Sequence, residues 1–202
     1  MLTEGLKAFY RFPALEAGVD EAGRGCLAGP VFAAAVILPA GFHHPLLRDS
    51  KQMKKKHRDQ LRLIIESEAA AWCIGQASVE EIDRYNILQA TFLAMHRAIN
   101  GLSIQPALLL IDGNRFKVYE DIPHQTFIGG DDLFLSIAAA SVLAKTHRDE
   151  YMQTLHETFP DYGFNRHKGY GTAEHRDAIL SKGITAYHRR SFSLHNKQLE
   201  LF

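Results

Sequence analysis

The chain has 202 residues, 46% hydrophobic and 23% charged, which is the composition of a globular protein long enough to bury a sizeable core. Its formal net charge is zero, so any affinity for a polyanion must come from how charge is distributed, not from its total. Met1 to Phe12 contains no apolar signal core, no run approaches the roughly 18 apolar residues of a membrane span, and Cys26 and Cys73 make neither a CxxC pair nor a disulfide framework; a cytoplasmic protein with reduced thiols is expected.

Residues 14–20 and 30–38 predict two strands joined by a glycine-rich turn. Asp49-Ser50 can cap a helix running to about residue 69, with Leu61, Ile64 and Ile65 on its inner face. Residues 71–77 read as a third strand. Ser78-Val79-Glu80-Glu81 is a capping box, after which Leu88, Phe92, Met95 and Ile99 recur at helical spacing up to a stop at Gly101. The apolar run Pro106 to Ile111, ending in Asp112-Gly113, predicts a buried strand with an acid at its carboxyl end. Gln125–Ile128 gives a fifth strand. A long helix follows from an N-cap at Asp132 to about Phe159, and its alanines (138–140, 144) permit close approach to a sheet. Thr172 caps a last helix through Lys182. The expectation is one α/β domain over 1–202: a mixed-sheet core to about residue 160, a helical part over about 161–197 and a short apolar tail, 198–202.

Four acids fall at the ends of elements: Asp20, Glu21, Asp112 and Asp131. Carboxylates at strand ends of an α/β sheet converge where ligands bind, and such a set favours hard divalent cations. Gly23-Arg24-Gly25 adds bare backbone and a guanidinium, both suited to phosphate and sugar. Together they point to metal-assisted phosphodiester chemistry. The spacing Gly23-x-Gly25-x-x-x-Gly29 is one residue too long for a dinucleotide fingerprint and precedes a strand instead of a helix, which excludes that reading. Charge is also segregated. Residues 48–58 carry six basic side chains against Asp49, and 161–197 carry seven against three acids, a pattern that suits gripping a polyanion on either side of an acidic centre. Eleven histidines show no zinc spacing and are expected in surface or phosphate-side hydrogen bonding.

Asp20-Glu21-Ala22-Gly23-Arg24-Gly25 with Ala28-Gly29-Pro30-Val31 resembles the opening motif of the bacterial type 2 ribonucleases H, the ribonuclease HII family. The resemblance continues in order through Asp49-Ser50-Lys51, Ile82-Asp83, Asn86-Ile87, Asp112-Gly113-Asn114 and Gly130-Asp131. It runs on through Ser136 to Ser141, Ala144-Lys145, Arg148-Asp149, His167-Lys168-Gly169-Tyr170 and His188 to Phe192. It implies a ribonuclease H-like fold, a five-stranded mixed sheet flanked by helices with a C-terminal helical extension. The implied enzyme is an endonuclease that cuts the RNA strand of RNA–DNA hybrids and incises duplex DNA at embedded ribonucleotides, leaving 3′-hydroxyl and 5′-phosphate ends. It also implies Mg²⁺ or Mn²⁺ held by Asp20, Glu21, Asp112 and Asp131, recognition of the 2′-hydroxyl by Gly23, Arg24 and Gly25, and contact of Tyr170 with the deoxynucleotide on the 3′ side. Lys51, Arg166 and Lys168 are then candidate phosphate contacts. The chain departs from the family pattern at Gly129-Gly130-Asp131, where many relatives carry Lys, and at Gln52-Met53.

Gln198-Leu199-Glu200-Leu201-Phe202 is similar to the bacterial sliding-clamp-binding pentapeptide, in which Gln198, Leu199, Leu201 and Phe202 would make the contacts; the alternative is that Leu201 and Phe202 cover the protein's own C-terminal helices. Two other readings compete for the whole chain. A junction resolvase or integrase core would keep the acids but have no use for Gly23-Arg24-Gly25 and Tyr170. A non-catalytic, clamp-tethered hybrid-binding module would have no use for four converging carboxylates. A monomer is expected.

Overall fold

In the computed structural model the described residues are 5–47 and 53–194. Five strands form one mixed sheet: β1 (Glu16–Ala22), β2 (Val31–Ile37), β3 (Ala71–Ala77), β4 (Leu108–Asp112) and β5 (His124–Phe127), in the order β3-β2-β1-β4-β5. β1–β2 and β2–β3 are antiparallel, whereas β1–β4 and β4–β5 are parallel, so β1 and β4 end side by side at one edge.

Period-two alternation divides the core. Ala17, Val19, Ala33, Ala35, Ile37, Leu109 and Ile111 face α2 (Val79–Asn100), which contributes Ile82, Met95 and Ile99. The other face, with Ala34 and Val36, meets α1 (Lys55–Glu68) through Leu61 and Ile65, and α3 (Leu135–Thr158) through Ala138 to Ala140, Leu143 and Ala144. At Gly18 a Cβ would overlap the α3 backbone at Ser136–Ile137, so β1 and α3 touch main chain to main chain. After α3 come a 3₁₀ turn (Pro160–Tyr162), the single turn α4 (Phe164–His167) and α5 (Ala173–Lys182), capped by Thr172.

Three expectations need correction. α1 starts at Lys55, with Lys54 at the N-cap and no side-chain cap; Asp49 and Ser50 lie outside the described residues. Asp132 is not the N-cap of α3. It lies in a 3₁₀ turn (Gly130–Asp132) entered through left-handed Gly129, and Phe134 stands at the cap. No side-chain cap is required there, because the Leu135 amide donates to the Lys7 carbonyl at 3.0 Å, a partner 128 positions away that no local pattern announces. Finally, α2 is interrupted at Asn86 (φ 68°, ψ 164°), whose Oδ1 caps the resumed helix by accepting from Leu88 and Gln89.

Candidate active site

The β1–β4 register pairs Val19 with Ile111, so the next residues, Asp20 and Asp112, are neighbours on the α3 face of the sheet edge. Glu21 turns to the opposite face. Asp20 is buried; its Oδ1 accepts from the Glu21 amide at 2.7 Å, and Ser141 of α3 hydrogen-bonds its side chain. Burial, then the negative charges of Glu21 and Asp112, hold the Asp20 carboxyl well above the usual carboxylate range against those two hydrogen bonds. Asp112 Oδ1 accepts from the Gly130 amide at 2.7 Å, and this bond draws the turn carrying buried Asp131 to the end of β4. The turn packs closely there: a Cβ at position 130 would meet the end of the Ile137 side chain at 2.6 Å and Phe127 Cβ at 3.3 Å. Glu21 pairs with Arg24 at 3.1 Å. Glu21, Arg24, Asp112, Asn114 and Arg115 share a cleft of about 300 Å³ with the α2 residues Leu88 and Met95.

Among the described residues no group of three or more acidic, histidine or cysteine side chains is arranged to hold a metal ion. Asp20 and Asp112 bond instead to main-chain amides and Glu21 to Arg24. The donor chemistry nevertheless fits a hard divalent cation. Every side-chain donor is a carboxylate oxygen, and the mutual repulsion felt at Asp20 is what a cation would relieve.

The glycine-rich loop sits beside these acids. Gly23 takes φ +96°, and a Cβ there would overlap the Arg148 guanidinium. Gly25 has no such conformation and opens onto empty space. Cys26 bridges to Tyr170, and the Leu27 amide donates to the Gly169 carbonyl at 2.8 Å, so Tyr170, 43% exposed, stands next to the loop. The Lys145 ammonium lies 5.8 Å from the Tyr170 ring centroid. Burial, then neighbouring Cys26, raises the Tyr170 phenol above its ordinary range. Burial, together with the Lys145 and Lys55 ammoniums, lowers Lys168 against the opposing pull of Asp149. Arg166 is exposed and paired with Glu174. Lys51 and the tail residues Gln198, Leu199, Leu201 and Phe202 lie outside the described residues.

Two buried arginines were not given a site role by the sequence. Arg148 donates to the carbonyls of Pro30 (3.1 Å), Lys168 (2.9 Å) and Ala28 (3.1 Å). Arg189 donates to those of Gly29, Arg24 and Gly23. For Arg148 a signal existed, because Ser141, Ala144 and Arg148 fall on one buried helical face. Arg189 stood in the His188 to Phe192 run that resembles the family and among the basic side chains expected to grip a polyanion; it is instead fully buried. The expected surface role of the histidines is overturned for His167, His175 and His188, which are buried together.

The family model described as Ribonuclease HII matches residues 17–195. The chain belongs to the ribonuclease HII family. A Ribonuclease HII from Bacteroides thetaiotaomicron is 62% identical over 180 residues, covering 89% of this chain and 90% of that protein. Among solved structures, the PCNA:RNase HII complex from Archaeoglobus fulgidus matches with a TM-score of 0.73 at 24% identity, over 93% of this chain and 100% of that one. Bst-RNase HIII in complex with Mn²⁺ matches with a TM-score of 0.68 at 18% identity, over 84% and 63%. The sheet and its helices are thus the ribonuclease H-like fold, and the chain is a metal-dependent ribonuclease H, a hydrolase that acts on RNA–DNA hybrids. No helix among the described residues is long and apolar enough to cross a membrane.

Proposed function

We propose that this ribonuclease HII hydrolyses the RNA strand of RNA–DNA hybrids and incises duplex DNA on the 5′ side of embedded ribonucleotides, in ribonucleotide and RNA-primer removal. The products carry 3′-hydroxyl and 5′-phosphate ends. Asp20, Glu21, Asp112 and Asp131 hold two Mg²⁺ or Mn²⁺ ions, which when bound activate water and stabilise the leaving oxygen. The observation that carries this reading is a buried Asp20, crowded by Glu21 and Asp112 at a strand edge next to a loop with an open glycine. Gly23, Arg24 and Gly25 bring main-chain groups to the 2′-hydroxyl, which distinguishes RNA from DNA at that position. The ring of Tyr170 lies against the deoxyribose on the 3′ side. Lys168, with Lys145 beside the same ring, attracts the backbone phosphates; Lys51 is a further contact in this reading, and Arg166 would have to leave Glu174 to take part.

The deciding experiment is cleavage of a DNA duplex carrying one ribonucleotide, mapped at nucleotide resolution, beside an RNA–DNA hybrid and an all-DNA duplex. A metal-dependent cut 5′ to the ribonucleotide is expected from wild type and none from Asp112→Asn, which should still bind the duplex. An Asp112→Asn protein cutting at wild-type rate would remove the metal assignment.

The same proposal places the enzyme in the cytoplasm as a monomer, in one domain over 1–202, tethered to the sliding clamp through Gln198, Leu199, Leu201 and Phe202. The PCNA complex of the Archaeoglobus fulgidus protein supports the tether by analogy. A labelled 193–202 peptide should bind the clamp more tightly than one with Gln198, Leu201 and Phe202 changed to Ala.

A further inference from the structure

We infer that Arg189 is a positioning residue for ribonucleotide discrimination: it fixes the peptide planes of the Gly23-Arg24-Gly25 loop so that two amide donors face the substrate. The inference rests on the reading of that loop as the element that meets the 2′-hydroxyl.

Arg189 is fully buried, and its guanidinium is spent on main chain. Nε donates to the Gly29 carbonyl at 2.9 Å, one terminal nitrogen to the Arg24 carbonyl at 2.8 Å, and the other to Gly23 at 2.7 Å and Gly29 at 2.8 Å. Burial depresses this guanidinium to about 10, a sign of how much its placement costs. An apolar side chain of the same volume would leave the Gly23, Arg24 and Gly29 carbonyls without that donor, so the planar fork is matched to the carbonyls it holds. A trans peptide is planar, with its C=O and N–H on opposite sides. Turning the Gly23 and Arg24 carbonyls inward to Arg189 therefore turns the Arg24 and Gly25 amides outward. Both residues are exposed. Two adjacent amides aimed outward form a concavity suited to an oxygen acceptor such as a ribose hydroxyl.

Arg189 is itself held from two sides. Its amide donates to the Leu27 carbonyl at 2.9 Å. Asp83 of α2 accepts from the Arg190 amide at 3.0 Å, the Ser191 amide at 2.9 Å and the Ser191 hydroxyl at 2.6 Å. The path runs from α2 through Asp83 and residues 190–191 to Arg189 and the loop.

The test is Arg189→Lys in the full chain, which keeps the charge and removes the planar fork. Binding to a one-ribonucleotide duplex and to the matching all-DNA duplex is measured in Ca²⁺, with Mn²⁺ affinity by calorimetry. The ribonucleotide-to-DNA affinity ratio is expected to fall by roughly tenfold, about one hydrogen bond's worth, with Mn²⁺ affinity and all-DNA binding unchanged. An unchanged ratio, or an equal loss on both duplexes, overturns the positioning role. If Arg189→Lys does not fold, Asp83→Asn, remote from the loop, decides the matter: a smaller fall in the ratio supports the role and no fall overturns it. A wild-type protein that binds both duplexes equally would instead remove the reading of the loop itself, and the inference with it.

Discussion

Gly23 and Gly25 stand two residues apart in different surroundings. At Gly23 the fold requires a glycine: φ is +96° and the Cβ position is taken by the Arg148 side chain. At Gly25 the backbone is ordinary and the space beyond it open. Nothing in the fold requires a glycine there; in the proposed function the approaching substrate does. Gly23→Ala is therefore expected to cost about 1–3 kcal/mol and to lower cleavage of every substrate together. Gly25→Ala should melt within a few degrees of wild type, since an added methyl meets nothing, yet lose cleavage at single ribonucleotides. Thermal melts and the cleavage assay separate the two; a fully active Gly25→Ala would show that no substrate group comes close to that position. The sequence could show that both glycines lie in a turn beside Asp20 and Glu21, because those features are local. It could not sort them, because Arg148 reaches Gly23 from 125 positions away.

Elements whose signals are local were legible: the strands, the capping box at Ser78 with its reciprocal Glu81 bonds (2.8 and 3.2 Å), and the small-residue face of α3. What escaped were ends satisfied from afar, as at Leu135, and polar side chains paired inside the fold. The three histidines joining α4, α5 and the turn before Arg189 are the clearest case. His188 Nδ1 accepts from the Thr185 amide at 3.0 Å, which leaves Nε2–H to donate to His175 Nε2 at 3.1 Å; His175 Nδ1–H then donates to the Tyr170 carbonyl at 2.9 Å. His167 stacks on His175, donates to the Tyr162 carbonyl at 2.6 Å and accepts from the Gly169 amide. Every ring nitrogen is assigned with all three rings neutral, and a proton added to His175 or His188 would set donor against donor. Burial first holds His175 and His188 down at about 4, with His167 and, for His175, Arg176 adding to the depression. Because these folded-state values lie below the ordinary value near 6.5, the unfolded chain binds more protons between them. The stability they contribute is present in full above about pH 6.5 and is lost as pH falls from there toward 4. Denaturant midpoints at pH 7.5 and 5 should show this loss, and His188→Asn, which keeps an acceptor for Thr185, should show less of it. Equal pH slopes in the two proteins would mean that the cluster is not what titrates.

At the scale of the whole molecule, the segment after α3 completes the site from behind. Arg189 bonds residues 160–166 positions earlier in the chain, and Arg148 binds Ala28 and Pro30 on one side and Lys168 on the other. Around these bonds Ala28, Met152, Tyr162, Phe164 and Ala178 form a separate apolar cluster, with Tyr187 against it. Asp20, Glu21 and Asp112 lie at the ends of β1 and β4 and Asp131 in the turn bonded to Asp112, so their joint placement was legible from local pattern although no single acid was telling. The shape of the loop beside them is set by contacts with the longest sequence separations, which no periodicity encodes. A chain ending at Phe159 keeps all five strands, the four acids and Arg148, but loses Arg189 and the partners of that cluster. The Gly23, Arg24 and Gly29 carbonyls would then lose their guanidinium donor, at a cost on the order of 1–3 kcal/mol for each group left unsatisfied. The expected outcome is a lower, broader melt and no cleavage of a single ribonucleotide, with any residual hybrid cleavage showing no junction preference. A truncated chain that melts sharply and cuts 5′ to one ribonucleotide as wild type does would show that the Gly23-Arg24-Gly25 loop keeps its shape without Arg189.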